Sequence, residues 1–597
     1  MTLVQTFETF GFDVDQVQAD VVVVGGGGAA SRAAVSAAQA GAKVLVVAKA
    51  PVGQGGSTVH GASEIMSMGA SGYGSEQDSP SIHYEDTMRP AGGFIDRELV
   101  RVLAEDAPAR IADLIALGVP FDRVRTEGPD AGYKLIQSDF GSYARALGVK
   151  GKTGKAFVSA LADEAKKLGV ETRHSVALID LLRDSTGRVS GVVGMDLNSR
   201  RLLVVSAGAV VLGTGGAHGL FSQQVSTAEM TGDGQAICFR HGAELVNMEF
   251  HQFGPAMVHP YVQLFSKSCF ILHPKMLNRD GHEFLADYLP AGVAPEAIMD
   301  EKVFPFTISN ESRYIDIAIA AEIAAGRGTE RGAVQFSFAH IAPEKLAATI
   351  PNTMRWMRAK GLDPQRDLLD VGIAFQCLNG GVRMTDTNAM STIEGLFVIG
   401  ELAGGVRGPD RPGGNSLAEG QVFGHRAGAG AAVFARQNAA PGAPDAAPLA
   451  ARLELALKPN ASFDAQRIAT GLRHAMQTHC LVEKTEIGLK QALQVAREAR
   501  EQFEAGGAAT PQSAIDALTI DNMATTAAVI VEACIERRES RSSHYRTDCP
   551  ERDDARFGHA LTITRGTDDP LRPKFAGLRY VHAELPEQSL YQAANHG

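Results

Sequence analysis

The residues Val21 to Gly28 read VVVVGGGG, four β-branched side chains directly before four glycines. The valines suit a buried strand, and the alanine-rich stretch that follows suits a helix. Strand, glycine turn and helix N-terminus together aim free N–H groups and a helix dipole at a pyrophosphate. The turn matches the alanine-ended dinucleotide fingerprint Gly25-x-Gly27-x-x-Ala30, so Gly25, Gly27, Gly28, Ala29 and Ala30 are candidate cofactor contacts. An acidic residue commonly ends the next strand and binds the adenosine ribose; here that strand, 43–49, ends in Ala48-Lys49. A triphosphate loop is excluded at 148–157. Val149 and Ala146 stand where the first glycine of GxxxxGK[ST] is needed in its two registers, and Ala156 replaces one hydroxyl. Cys238, Cys269, Cys377, Cys480, Cys534 and Cys549 are scattered without a CxxC pair, so neither a disulfide framework nor an iron–sulfur or zinc site is expected.

These residues need a scaffold. A chain of 597 residues is too long for one core and implies two or three domains. Hydrophobic content of 45% and charged content of 21% are ordinary for a globular protein. A net charge of −11 without a basic run points away from nucleic acid and anionic membranes. No apolar run suggests a membrane span and the first twenty residues carry no signal pattern, so a cytoplasmic protein is expected. The fold class is α/β. Strand 43–49 completes a βαβ unit, 202–217 reads as a strand hairpin ending in a glycine turn with Thr214-Gly215, and 394–405 as a strand ending in Gly400-Glu401. Segment 251–370 reads as an insertion, 436–450 as an Ala/Pro linker, and 483–506 and 515–540 as helices. The C-terminal stretch is polar and proline-bearing.

The segments VVLGTGG (210–216), TGDGQAICFRHGAELVNMEFHQFGP (231–255), GLFVIGELAGGVRGPDRPGGNSLAEGQVFGHRAG (395–428) and ESRSSHYRTDCPERDD (539–554) resemble the flavoprotein subunits of succinate dehydrogenase and fumarate reductase. L-Aspartate oxidase belongs to the same family, and the resemblance covers most of 20–555. It implies a Rossmann-like FAD-binding domain from 18–250 and 371–435, an inserted α+β capping domain over 251–370, and a C-terminal helical domain, 450–597, with an extended tail. Asp233 and Glu401 would meet cofactor hydroxyls. Gly56, Ser57 and Thr58 would run beside the flavin ring, and Asn415, Ser416 and Leu417 would flank its far side. The family also lacks an acid at the position of Lys49.

The departures are specific. Ser57 stands where the succinate enzymes carry the histidine that bonds flavin covalently, and His60 lies three residues too late, so FAD is expected without a covalent bond. Arg411 falls on the family's substrate-clamping arginine, and a guanidinium is the natural bidentate partner of a carboxylate. Arg313 falls within one residue of the proton-shuttling arginine, with Glu311 or Asp316 as its relay. The family's F-H-P-T reads Phe253-Gly254-Pro255-Ala256, and a second substrate histidine reads Gln376. A dicarboxylate such as succinate or fumarate would leave its second charge unpaired, which is costly when buried. The expected substrate is an organic acid with one carboxylate on Arg411 and a larger or neutral end near Gly254 and Gln376; His251, His259 and His273 are candidate substitutes for the missing imidazoles. The expected activity is hydride transfer between FAD and a carbon of that acid. Its rivals are an aspartate-oxidase-like amine oxidase, a protein of adenylylsulfate-reductase type and a flavin-binding subunit without catalysis. Electrons would need a separate carrier or an iron–sulfur partner subunit; self-association is left open.

Overall fold

The computed structural model describes residues 3–61, 63–124, 132–438, 442, 444–507, 510–566 and 573–578. Its main sheet has seven strands, and the strand Val14–Val24 lies inside it. Val21 to Val24 are 0–4% exposed, as a parallel strand covered on both faces requires. Val14–Val24 pairs in parallel with Val44–Ala48 and with Leu202–Leu212, and Leu396–Val398 pairs in parallel with Leu202–Leu212. Parallel pairing points their C-terminal ends the same way. Gly25–Gly28, Gly213–Gly216 and Gly400 therefore arrive at one edge of one sheet.

The expected hairpin at 202–217 is instead one strand, Leu202–Leu212; its hairpin partner is Val189–Asp196, upstream. Gly208, inside this strand, stays extended beneath a helix. A Cβ there would lie 2.9 Å from the Cβ of Ala435.

That helix, Asn415–Gln437, crosses the fingerprint helix Gly28–Gln39 on a ridge of glycines. A Cβ at Gly424 would sit 2.6 Å from Ala29 O, and one at Gly428 2.2 Å from Ala33 O, so the helices meet backbone to backbone. Polar groups fix the crossing. Gln421 Nε2 donates to Gly28 O at 3.0 Å, and Arg32 Nε donates to Gln421 Oε1 at 3.0 Å. Burial pulls the Arg32 guanidinium down to about 10.

The inserted segment forms a second, antiparallel sheet from Gln263–Leu264, His251–Met257, Leu369–Leu378, Val334–Ser337 and Lys275–Leu277, in that spatial order. Leu369–Leu378 runs past the expected domain boundary at 370, because its partner His251–Met257 holds it through Leu378. Beyond the linker, Ala465–His479, Glu486–Ala505 and Pro511–Glu536 pack as helices. Ser513–Glu536 is long and apolar enough to cross a membrane, contrary to the sequence reading, but 78% of its apolar window is buried in the protein. The expected extended tail is also corrected in part. Ala560–Arg565 is a strand, buried over its first four residues, that pairs with Leu245–Val246 and with Pro573–Leu578. Residues 579–597 lie outside the described residues.

Candidate functional site

Two cavities, of about 230 and 150 Å³, open on either side of the convergent glycine turns. They share Gly28, Ala29, Ser57, Thr58, Gly400 and Glu401, so they form one elongated cleft with its waist at the start of helix Gly28–Gln39. That helix has no side-chain N-cap. Its first turn presents backbone N–H groups and the positive end of the dipole to the waist. Gly25, at φ +126°, would place a Cβ 2.3 Å from Gly213 O, so neighbouring strand ends touch only because neither carries a side chain. Ala30 does not line either cavity; it packs under the turn, 3.1 Å from a Cβ position at Gly213. Its smallness serves helix–strand contact rather than ligand contact.

The smaller cavity is lined by Gly25, Gly27, Lys49, Gly56, Thr214 and Gly215. Thr214 Oγ1 is buried without a partner among the described residues, a donor available to a ligand. Asp233 also lines it, but its oxygens are already engaged. Lys49 Nζ and Thr231 Oγ1 (2.8 Å) donate to Oδ2, and Asn522 Nδ2 from the C-terminal helix donates to Oδ1 at 2.7 Å. Burial alone would raise this carboxyl, yet Lys49, Asn522 and Thr231 hold it below its ordinary range. Glu401 accepts from Leu378 N at 3.0 Å and faces His218 Nδ1 at 3.6 Å. A waist of amides between a smaller pocket and a larger one fits the pyrophosphate, adenosine and flavin parts of FAD.

Ser57, at the position of the covalent histidine, bonds Ser226 Oγ at 3.0 Å and His218 Nε2 at 3.4 Å. His60 turns away to Gln54 O at 2.8 Å. Ser416 and Leu417 line the larger cavity; Asn415 does not. Its amide is locked to His83 Nε2 and Thr87 Oγ1, both at 2.9 Å, so it anchors the helix start rather than touching a ligand.

Arg411 is 7% exposed and lines the larger cavity. Its Nε and Nη2 donate to Gln252 Oε1 at 3.1 and 2.6 Å, and Nη1 donates to Pro412 O. None of these partners is charged. Arg407 lines the same cavity, but Glu419 neutralises it at 2.9 Å and the carbonyls of Leu378, Gly400 and Ala403 occupy its other N–H groups. Arg411 is thus the cavity guanidinium left for an anion. Gln252, which sets its orientation, was not singled out in the sequence; the signal was available in its place two residues before Gly254.

Gly254 does not line the cavity. A Cβ there would meet the Phe304 ring at 2.5 Å, and Phe304 and Pro305 line the wall instead. Gln376 does line the cavity, and its Oε1 and Ser266 Oγ are buried without partners among the described residues. His259 is exposed and away from both cavities. His251 is buried against Cys480 O, and His273 pairs with Asp300 at 2.8 Å, so neither replaces the missing imidazoles. Arg313 is also displaced from the site. It begins helix Arg313–Ala324, donates to Ile308 O at 2.8 Å, pairs with Glu311 at 3.2 Å, and lines neither cavity. The expected relay Asp316 is held by buried Lys302 at 2.7 Å.

The family model described as an FAD binding domain matches residues 20–417, and that for the fumarate reductase flavoprotein C-terminus matches 469–586. The chain is 32% identical to one subunit of the fumarate reductase (CoM/CoB) of Methanothermobacter marburgensis, over 80% of this chain and 84% of that one. It is likewise 32% identical to the L-aspartate oxidase of Caulobacter vibrioides, over 92% and 95%. Among solved structures, a quinol fumarate reductase FrdA of Escherichia coli superposes with a TM-score of 0.82 at 25% identity, covering 96% of this chain and 99% of that one. The chain belongs to the family of FAD-dependent oxidoreductases that contains the fumarate reductase flavoproteins and the L-aspartate oxidases.

Proposed function

We propose that this FAD-dependent oxidoreductase acts on an organic acid carrying a single carboxylate, desaturating or reducing a C–C bond near it. The observation that carries the reading is an unequal pair of walls. On one side Arg411 keeps a buried guanidinium with no ion pair among the described residues. On the other, Phe304 fills the space over Gly254, with Val225, Leu264 and Pro305 beside it. A second carboxylate pressed on that wall would lose its hydration without gaining a cation. Ser266 Oγ and Gln376 Oε1 supply a neutral donor and acceptor, suited to a hydroxyl or amide. Bound FAD supplies the hydride chemistry. The protein clamps the carboxylate, dries the cavity and fixes which carbon faces the ring.

With Ser57 in place of a histidine, the flavin is held by the cleft alone, and acid precipitation should release all of it into the supernatant. Electrons pass onward to a second carrier, in keeping with a relative named as one subunit of a fumarate reductase. The deciding experiment is anaerobic: saturated acids are tested for bleaching the oxidised flavin, unsaturated acids for recolouring the reduced flavin. Monocarboxylates should outperform succinate and fumarate; reaction with the dicarboxylates alone would sink the proposal. The aspartate oxidase relative supports a second reading, oxidation of an amino acid, whose sign would be peroxide release with L-aspartate in air.

A further inference from the structure

Arg313 lies outside the cavity, so the proton that accompanies hydride transfer has no carrier at the expected place. Six ionisable side chains line the larger cavity: Asp139, Cys377, Glu401, Arg407, Arg411 and Glu419. Arg411 holds the substrate, and Arg407 and Glu419 neutralise each other. The Cys377 thiol is pushed up to about 11 by burial, and its Sγ lies 3.4 Å from Gln252 Oε1. Glu401 sits at the waist, bonded to Leu378 N, on the cofactor side. Asp139 is left. It carries no ion pair among the described residues, lines the cavity and is exposed.

Its position is fixed from both walls. Ser138 Cβ lies 3.2 Å from a Cβ position at Gly413, two residues beyond Arg411. Asp139 Oδ2 accepts a long bond, 3.4 Å, from Phe304 N, the residue whose ring covers Gly254. The carboxyl therefore lies on the cavity wall between the loop that carries Arg411 and the apolar Phe304.

We propose that Asp139 is the acid–base residue that gives or takes the proton at the carbon next to the one exchanging hydride. The assignment rests on the reading that a carboxylate sits on Arg411. For reduction of a 2-enoate, one alkene carbon receives hydride from reduced flavin, which is oxidised. The neighbouring carbon receives the Asp139 proton, the π bond breaks, and the aspartate left behind is reprotonated from solvent. The surroundings suit an acid. Although Asp139 is exposed, the protein packed around it raises its carboxyl above the ordinary range, opposed by the Phe304 N–H, Lys267 and Lys302. Lys302 is itself neutralised by Asp316. A ligand carboxylate arriving on Arg411 adds a like charge nearby and raises Asp139 further.

The test compares wild type, Asp139→Asn and Asp139→Glu as holoenzymes. Each is reduced anaerobically and mixed with crotonate, cinnamate or fumarate while flavin reoxidation is followed. Wild type should react with crotonate or cinnamate at a rate that falls as pH rises through one ionisation, since the donor must be protonated. Asp139→Asn should lose that pH limb and at least ~10²-fold in rate, with partial recovery in Asp139→Glu. A second arm needs no turnover: oxidised enzyme is titrated with butyrate by calorimetry in two buffers of different ionisation enthalpy. Wild type should take up a fraction of a proton on binding and Asp139→Asn none, at an affinity within about threefold. Unchanged rates, or undiminished proton uptake in Asp139→Asn, overturn the assignment and leave the carboxylate reading standing. Absence of both butyrate binding and reoxidation in wild type overturns that reading and the assignment with it. A colourless Asp139→Asn preparation passes the decision to Asp139→Glu, whose pH limb should move while its flavin content does not.

Discussion

The two ends of the cleft are built from different materials. The cofactor end is mostly backbone: glycines at three strand ends, a helix N-terminus without a side-chain cap, and one carboxylate saturated by Lys49, Thr231 and Asn522. The substrate end is mostly side chain: Arg411 on Gln252, a phenyl ring over Gly254, and Asp139 at the junction. A backbone site tolerates little change where strand ends touch, because a methyl group at Gly25 meets the main chain of Gly213. A side-chain site can exchange an imidazole for a ring and a hydroxyl for a methyl, and so change its ligand while keeping its fold.

The sharpest break of that comparison is Gly25→Ala. The added Cβ would lie 2.3 Å from Gly213 O, at a φ of +126° that L side chains rarely adopt. Main chain on both sides cannot yield, so the variant should be isolated without flavin, with a lowered melting midpoint and no recovery on adding FAD. Near-normal flavin content would show that the strand ends separate more readily than their packing suggests.

At the other end, Arg411→Gln keeps the shape and removes the charge. Flavin content should stay within a few per cent of wild type, while reaction with monocarboxylates falls by ~10²-fold or more, since positioning and charge are lost together. Comparable losses of flavin and activity would erase the distinction between the two ends.

The same division explains how much of the molecule was legible in the sequence. Gly25, Gly27 and Gly28 announce themselves because backbone contact demands glycine, and a run of valines before them demands a strand. Arg411 was readable from its place in R-x-G-x-N-S-L. Arg313 was assigned by family resemblance alone, and the structure sets it at the start of helix Arg313–Ala324, where neither it nor its neighbours Ser312 and Tyr314 line the cavities. Asn415 was misread because an amide next to a cofactor and an amide bonded to side chains of a neighbouring helix look identical in sequence. Asp139 gave no signal: its setting is made by Gly413 and Phe304, each more than 150 residues away. Asn522 was equally silent, since its only clue is a helix that docks 289 residues beyond its partner.

That last contact gives the smallest effect and the finest test of the comparison. Asn522→Ala removes the donor to Asp233 Oδ1 and leaves the Lys49 pair in place. The loss should exceed the ~1 kcal/mol of a single hydrogen bond, because Asn522 Oδ1 also accepts from Arg240 and Arg452, and the hold on FAD should weaken several-fold. The sign of its pH dependence follows from Asp233. This carboxyl is depressed in the folded state, so the stability it contributes is present above the ordinary carboxylate range and disappears as pH falls. Without the Asn522 amide the depression shrinks, and flavin should dissociate at a higher pH than in wild type. With FAD in excess, turnover should be unchanged, because nothing at the substrate end has moved. A fall in turnover at saturating FAD would mean that the C-terminal helix couples the two ends.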